Sequence, residues 1–256
     1  MRRRRHRQYG RISAVVVVTA SLGFAASGGA RAQQQAISLQ TDDAVEIRAV
    51  LAAPAPGGSS RPAVVFIHQG GSSKEEWLDT ALFGDVVREG WVALAYDIRG
   101  HGESGGEVDF DTFFDDPDEA PRDLRAVLDH LLTLEQVDAE RIAVVGASIG
   151  SNLACVAAGS AGFPVKTAVA ISGKTSAVFN LAGGRDRLTE LRSVFHIASE
   201  LEQSGRRAEW ATELYSLTAV PRRLEIVGDA SSHGVSIFAD DPALQSRILS
   251  WLRATL

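Results

Sequence analysis

The 256-residue chain has a single cysteine, Cys155, so no intramolecular disulfide can form. Its neighbours Ala154, Val156 and Ala157 are small and apolar, which predicts a packed core thiol rather than a reactive one. The N-terminal apolar run, Ile12–Ala26, is shorter than the roughly 20 residues a membrane-spanning helix needs. No repeat or heptad array is present, which excludes solenoid and coiled-coil architectures. No set of His, Cys, Asp and Glu has metal-ligand spacing, so neither a metal nor a cofactor is implied.

Basic residues are scarce outside the N-terminus. Arg2 to Arg5, Arg7 and Arg11 precede the apolar run, and Ala30-Arg31-Ala32 offers a small-x-small cleavage site before Gln33. Charge, apolar stretch and cleavage site in that order predict a secretory signal peptide over 1–32. No Cys lies near the cleavage point, which argues against a lipid anchor. Seven of the 26 Lys and Arg residues fall in this segment and none of the 32 Asp and Glu residues does. The remaining chain has 19 basic and 32 acidic residues, a net charge of −13. Such a surface repels nucleic acid and anionic membranes. The expectation is one periplasmic or secreted domain over 33–256, with no stable membrane anchor after cleavage.

Within that domain, short apolar runs alternate with helical patterns, the signature of βα units on a mostly parallel sheet flanked by helices. Ala36–Gln40 and Val45–Leu51 alternate polar and apolar, predicting an antiparallel pair. Buried strands are expected at Ala63–Ile67, Val92–Tyr96, Ile142–Val145, Ala168–Ile171, Ala177–Leu181 and Leu224–Val227. Helices are expected at Lys74–Arg88, Arg122–Leu134, Ile149–Ala158, Leu188–Gln203, Arg207–Leu217 and Pro242–Leu252. No insertion is long enough to form a cap domain. Any site belongs at the carboxyl edge of such a sheet.

Gly146-Ala147-Ser148-Ile149-Gly150 follows one predicted strand and opens a small-residue helix. This G-x-S-x-G in strand–turn–helix context is a nucleophile elbow, which exposes a serine on a strained turn at a helix N-terminus. Ser148 is the candidate nucleophile. His233 lies after the last strand, where the Ser–acid–His chain order places the base, whereas His130 and His196 fall inside helical patterns. The acid is expected at Asp186, in the loop after Ala177–Leu181, with Asp229 as the rival. Ile149 and Gly70, in His68-Gln69-Gly70-Gly71, are the candidate oxyanion-hole donors. His68 reads as a loop organiser.

Taken together, His68-Gln69-Gly70-Gly71, Tyr96-Asp97-Ile98-Arg99-Gly100-His101-Gly102-Glu103-Ser104, the elbow at Ser148 and His233-Gly234 resemble the bacterial α/β-hydrolase superfamily. The dienelactone-hydrolase-like and esterase-like branch is the nearest. The resemblance spans about Ile37 to Leu252. It implies the α/β-hydrolase fold with little or no cap, a serine hydrolase acting on a small-molecule acyl substrate, and a non-catalytic, loop-shaping role for Arg99–Ser104.

Two features depart from the pattern. His68-Gln69 stands where many relatives carry His-Gly, which leaves open which N–H near Gln69 and Gly70 serves the oxyanion. The interval from Ile171 to Ala177 is also shorter than the at least 10–12 residues, roughly, of a parallel crossover. The acidic run Glu107–Asp116 either overhangs the site or is a solvated loop anchored by its phenylalanines. A non-catalytic binding protein that retains the fold is the alternative function, favoured if neither Asp186 nor Asp229 reaches His233.

Overall fold

The computed structural model describes residues 33–54, 58–109 and 112–256; the predicted signal peptide lies outside them. Eight strands form one sheet in the order β1-β2-β4-β3-β5-β6-β7-β8. The leading segments pair antiparallel as β1 (Gln33–Gln40) and β2 (Glu46–Ala53). Thr41 shapes the turn between them by accepting the Val45 N–H on its hydroxyl. β2 runs antiparallel to β4 (Val92–Tyr96). From there β3 (Arg61–Ile67), β5 (Val137–Ala147), β6 (Thr167–Ile171), β7 (Leu191–Ser199) and β8 (Thr218–Val227) are parallel.

A parallel sheet must be covered on both faces, and alternating strand residues divide between two apolar clusters. Val65, Ile67, Leu94 and Val144 pack with α3 (Ala120–Leu132) and α4 (Ile149–Gly159). Val64, Phe66, Ala93 and Val145 pack with α2 (Ala81–Arg88) and α8 (Leu244–Thr255). The expected helix Lys74–Arg88 is split into α1 (Glu75–Leu78) and α2, because Thr80 caps α2 by accepting the Phe83 N–H at 3.2 Å. α6 (Arg206–Ser216) and α7 (Ile237–Asp240) complete the helical layers. Cys155 is fully buried, and burial pushes its thiol up to about 12.

One stretch differs from the sequence reading. Ala177–Leu181 is not a strand but part of α5 (Thr175–Leu181), and Leu191–Ser199, inside the expected helix Leu188–Gln203, is β7. In α5 the buried Ala177, Val178 and Leu181 share one helical face while Asn180 is exposed. In β7 every residue from Ser193 onward is buried, so neither the helical nor the alternating period shows. The crossover from β6 to β7 is thus carried by α5 and a 3-10 turn at Arg185–Arg187, long enough for a parallel connection. The consequence is functional: a new strand end, that of β7, faces the site.

Candidate functional site

The site is built on the carboxyl ends of β3, β5, β6, β7 and β8. At the end of β5, Ser148 has φ 53° and ψ −113°, a conformation costly for any residue with a Cβ. The elbow forces it. A Cβ on Gly146 would lie 2.0 Å from the Gly150 carbonyl oxygen, and one on Gly150 would lie 2.3 Å from that of Ile67. Only glycines let strand, turn and helix approach this closely. The Ser148 N–H donates to the Ile171 carbonyl at 2.9 Å, and the Ser148 carbonyl accepts from Ser151 and Asn152.

His233 follows β8. Its Nδ1 lies 2.6 Å from Oε1 of Glu202, which is almost wholly buried in the loop after β7. The other Glu202 oxygen accepts the Ser172 hydroxyl at 2.8 Å, and the Ser172 oxygen accepts the Gly234 N–H at 3.1 Å. Further bonds stitch the β7 end to the loop carrying His233, among them Ser199 Oγ to the Ser232 carbonyl at 2.6 Å and Leu201 N–H to the Ala230 carbonyl at 2.8 Å. Gly234, at φ 58°, presses on the elbow: a Cβ there would be 1.9 Å from Gln69 Oε1 and 3.5 Å from the Ala147 Cβ. With a carboxylate on Nδ1, the proton is assigned to that nitrogen and Nε2 is left as the basic one.

The carboxylate on His233 is therefore Glu202, and neither aspartate singled out in the sequence holds that place. Asp186 is exposed on the 3-10 turn after α5. Asp229 is exposed, and its backbone N–H bonds Glu200. Both follow segments that the sequence pattern suggests are strands, whereas β7, the strand whose end carries the carboxylate on His233, has a helical sequence pattern. His196 likewise sits in β7, its Nε2 2.8 Å from Thr218 Oγ1.

In the loop after β3, the Gln69 N–H is taken by Glu76 Oε1 at 2.9 Å, a carboxyl whose pKa burial pushes up. Among the described residues the Gly70 N–H has no such acceptor, nor does the Ile149 N–H in the first turn of α4. A Cβ on Gly70 would fall 2.8 Å from the Phe114 ring, so glycine lets this loop close beneath Phe114. Phe113 is buried while Asp115 is exposed, so the acidic run is anchored by its phenylalanines; Phe110 and Asp111 lie outside the described residues.

The Arg99–Ser104 segment is structural. Asp97 accepts the Lys74 N–H, Lys74 Nζ and the Glu103 N–H at 2.7–2.9 Å, and buried Arg99 bridges Asp123 and Asp43. His68 organises its loop: Nε2 accepts the Ile98 N–H at 2.9 Å and Nδ1 donates to the Gln69 carbonyl at 2.7 Å. Burial pushes His68 down to about 4 and His196 down to about 3. Both rings are neutral when folded and gain protons on unfolding below the ordinary histidine value near 6.5. Stability therefore falls with acid in that window. Urea unfolding from pH 6.5 to 4.5 is expected to lose about 1 kcal/mol per pH unit for each ring as its unfolded form protonates, partly offset by Asp123, whose carboxyl burial pushes up to about 6. A flat profile there would contradict the assignment.

Residues 64–254 match the model of the alpha/beta hydrolase family. Over 96 residues the chain is 36% identical to the uncharacterized protein YcjY of Escherichia coli K12, covering 38% of this chain and 30% of that protein. It thus spans less than a third of that relative's length. Among solved structures, an acetyl xylan esterase from Paenibacillus sp. R4 is 17% identical, with a TM-score of 0.73 over 95% of this chain and 89% of that one. The Pyrococcus furiosus esterase Pf2001 is 20% identical, with a TM-score of 0.68 over 88% and 93% respectively. The eight-stranded topology and the family match agree: this chain belongs to the α/β-hydrolase family.

Proposed function

We propose that the protein is a serine hydrolase that cleaves small esters or lactones through Ser148, His233 and Glu202. His233 Nε2 takes the Ser148 hydroxyl proton as Oγ attacks the acyl carbonyl. The Gly70 and Ile149 N–H groups receive the oxyanion, each such donor being worth about 3 kcal/mol. The tetrahedral intermediate collapses and the leaving alkoxide takes the proton back from His233. Water, deprotonated by the same ring, then attacks the acyl-enzyme and releases the acid. Glu202 holds the ring in the tautomer that leaves Nε2 basic, and its charge stabilises the imidazolium.

The observation that carries this reading is the 2.6 Å His233–Glu202 bond beside the strained elbow. It also weighs against the non-catalytic binding alternative. The condition set for that alternative, that neither Asp186 nor Asp229 reaches His233, is met; what weighs against it is that a third carboxylate, Glu202, bonds the ring in their place. The absence of a cap-sized insertion favours small or open-ended acyl substrates. The succession of basic run, apolar run and small-x-small site in the N-terminal sequence supports export to the periplasm or beyond.

A fluorophosphonate probe tests the nucleophile directly. The expected label maps to the peptide containing Ser148 and is missing from Ser148→Ala; labelling that persists in that variant would overturn the proposal.

A further inference from the structure

Glu202 has a second charged partner. Arg207, in the first turn of α6, brings Nε to 3.2 Å from Oε1 of Glu202, the same oxygen that binds His233. Its Nη1 donates to the Ser172 carbonyl at 2.7 Å, and the Trp210 ring lies 5.2 Å from its guanidinium carbon. The side chains of Arg207 and Glu202 are only 11% and 5% exposed. Nε is buried without a hydrogen-bond acceptor in line, so its contact with Glu202 is one of charge rather than of aligned bonding. An Nε donor left in this way carries a desolvation cost.

The chemistry of the site gives the cation a use. A buried carboxylate of full charge against His233 favours the imidazolium, and an imidazolium cannot accept the Ser148 proton. A fixed cation on the same carboxylate offsets that pull. The charged groups on His233 are Glu202 from the β7–α6 loop, Arg207 through Glu202, and Glu76 from α1, which couples to it through space. Of the three, Arg207 is the one positive charge.

We propose that Arg207 is a positioning residue that partly neutralises Glu202 and thereby sets the pH at which His233 becomes a base. This rests on the triad reading above. Arg207 touches neither substrate nor reacting atoms; it acts through Glu202 and through the Ser172 carbonyl.

The test is an NMR titration of the His233 imidazole together with the pH profile of kcat/KM on p-nitrophenyl acetate. Wild type is compared with Arg207→Gln and Arg207→Lys. Loss of the cation that shares the Glu202 oxygen with the ring is expected to move both midpoints upward by about one to two pH units in Arg207→Gln. Arg207→Lys, which keeps the charge, is expected to stay within about half a unit. An Arg207→Gln protein with a lower Tm but an unmoved midpoint would overturn the inference, because that is what a structural role predicts. If Arg207→Gln does not fold, Glu202→Gln/Arg207→Met removes both charges together. Its imidazole midpoint is expected above that of Glu202→Gln alone; equal midpoints overturn the inference. Failure of the triad reading is separate: it would show as absent labelling of Ser148 in the wild type.

Discussion

Ser148→Ala is expected to lower kcat on p-nitrophenyl acetate by about 10⁵–10⁶-fold, the loss typical when the nucleophile of a serine triad is removed. The fold should persist, because alanine keeps the Cβ, and the N–H and carbonyl bonds of residue 148 belong to the backbone. A double variant, Ser148→Ala with His233→Ala, should be no slower than either single one, since triad members act as a unit. Ser148→Gly separates chemistry from strain. It should be equally inactive yet gain about 1 kcal/mol in urea unfolding, because φ 53° with ψ −113° costs any residue with a Cβ roughly that much. Gain of stability with loss of activity at one position would mark Ser148 as a site where strain serves function. Retained activity in Ser148→Ala would sink the mechanism outright.

The elbow was legible in the sequence because its requirements are local. Gly146 and Gly150 are demanded because a Cβ on either would lie 2.0 or 2.3 Å from a backbone carbonyl oxygen, and no other residue avoids that clash. The buried strands Ala63–Ile67, Val92–Tyr96 and Ala168–Ile171 were legible for a similar reason. Each is a short, uninterrupted run of apolar or aromatic residues whose two faces pack against opposite helical layers. His233 was singled out by chain order as well as by resemblance. Gly70 was nameable as a candidate donor, and what separates it from Gln69 is Glu76, a helix residue that takes the Gln69 N–H.

The carboxylate on His233 was hidden by tertiary context. Val194, Phe195 and Ile197 are ordinary strand residues, yet with both faces buried they show no alternation, and Glu200-Leu201-Glu202-Gln203 continues them like one helix. The signal that could have found Glu202 was topological. Ile171 to Ala177 is too short for a parallel crossover, so the next strand had to lie further on. The apolar run ending at Ser199 is the first that fits, and Glu202 stands three residues past its end.

Glu202→Gln is accordingly the decisive test of the site. Glutamine has the shape of glutamate and can still bond His233 Nδ1, so the ring stays in place. It cannot stabilise the imidazolium, and its amide can present an N–H that selects the tautomer with Nε2 protonated. Loss of the charge and tautomer control is expected to lower kcat by about 10⁴-fold, or about 5.5 kcal/mol of transition-state stabilisation. The variant should also unfold at a lower temperature, because Arg207, 3.2 Å from the lost carboxylate, becomes a buried cation with no counter-charge. Rates are therefore compared well below its Tm. Asp186→Asn and Asp229→Asn alter exposed side chains with no bond to His233 and should stay within about twofold of wild type. The outcome that reverses the assignment is equally concrete: a large loss in Asp186→Asn with Glu202→Gln near full activity. The 2.6 Å bond from His233 to Glu202 would then belong to a resting arrangement that catalysis does not use.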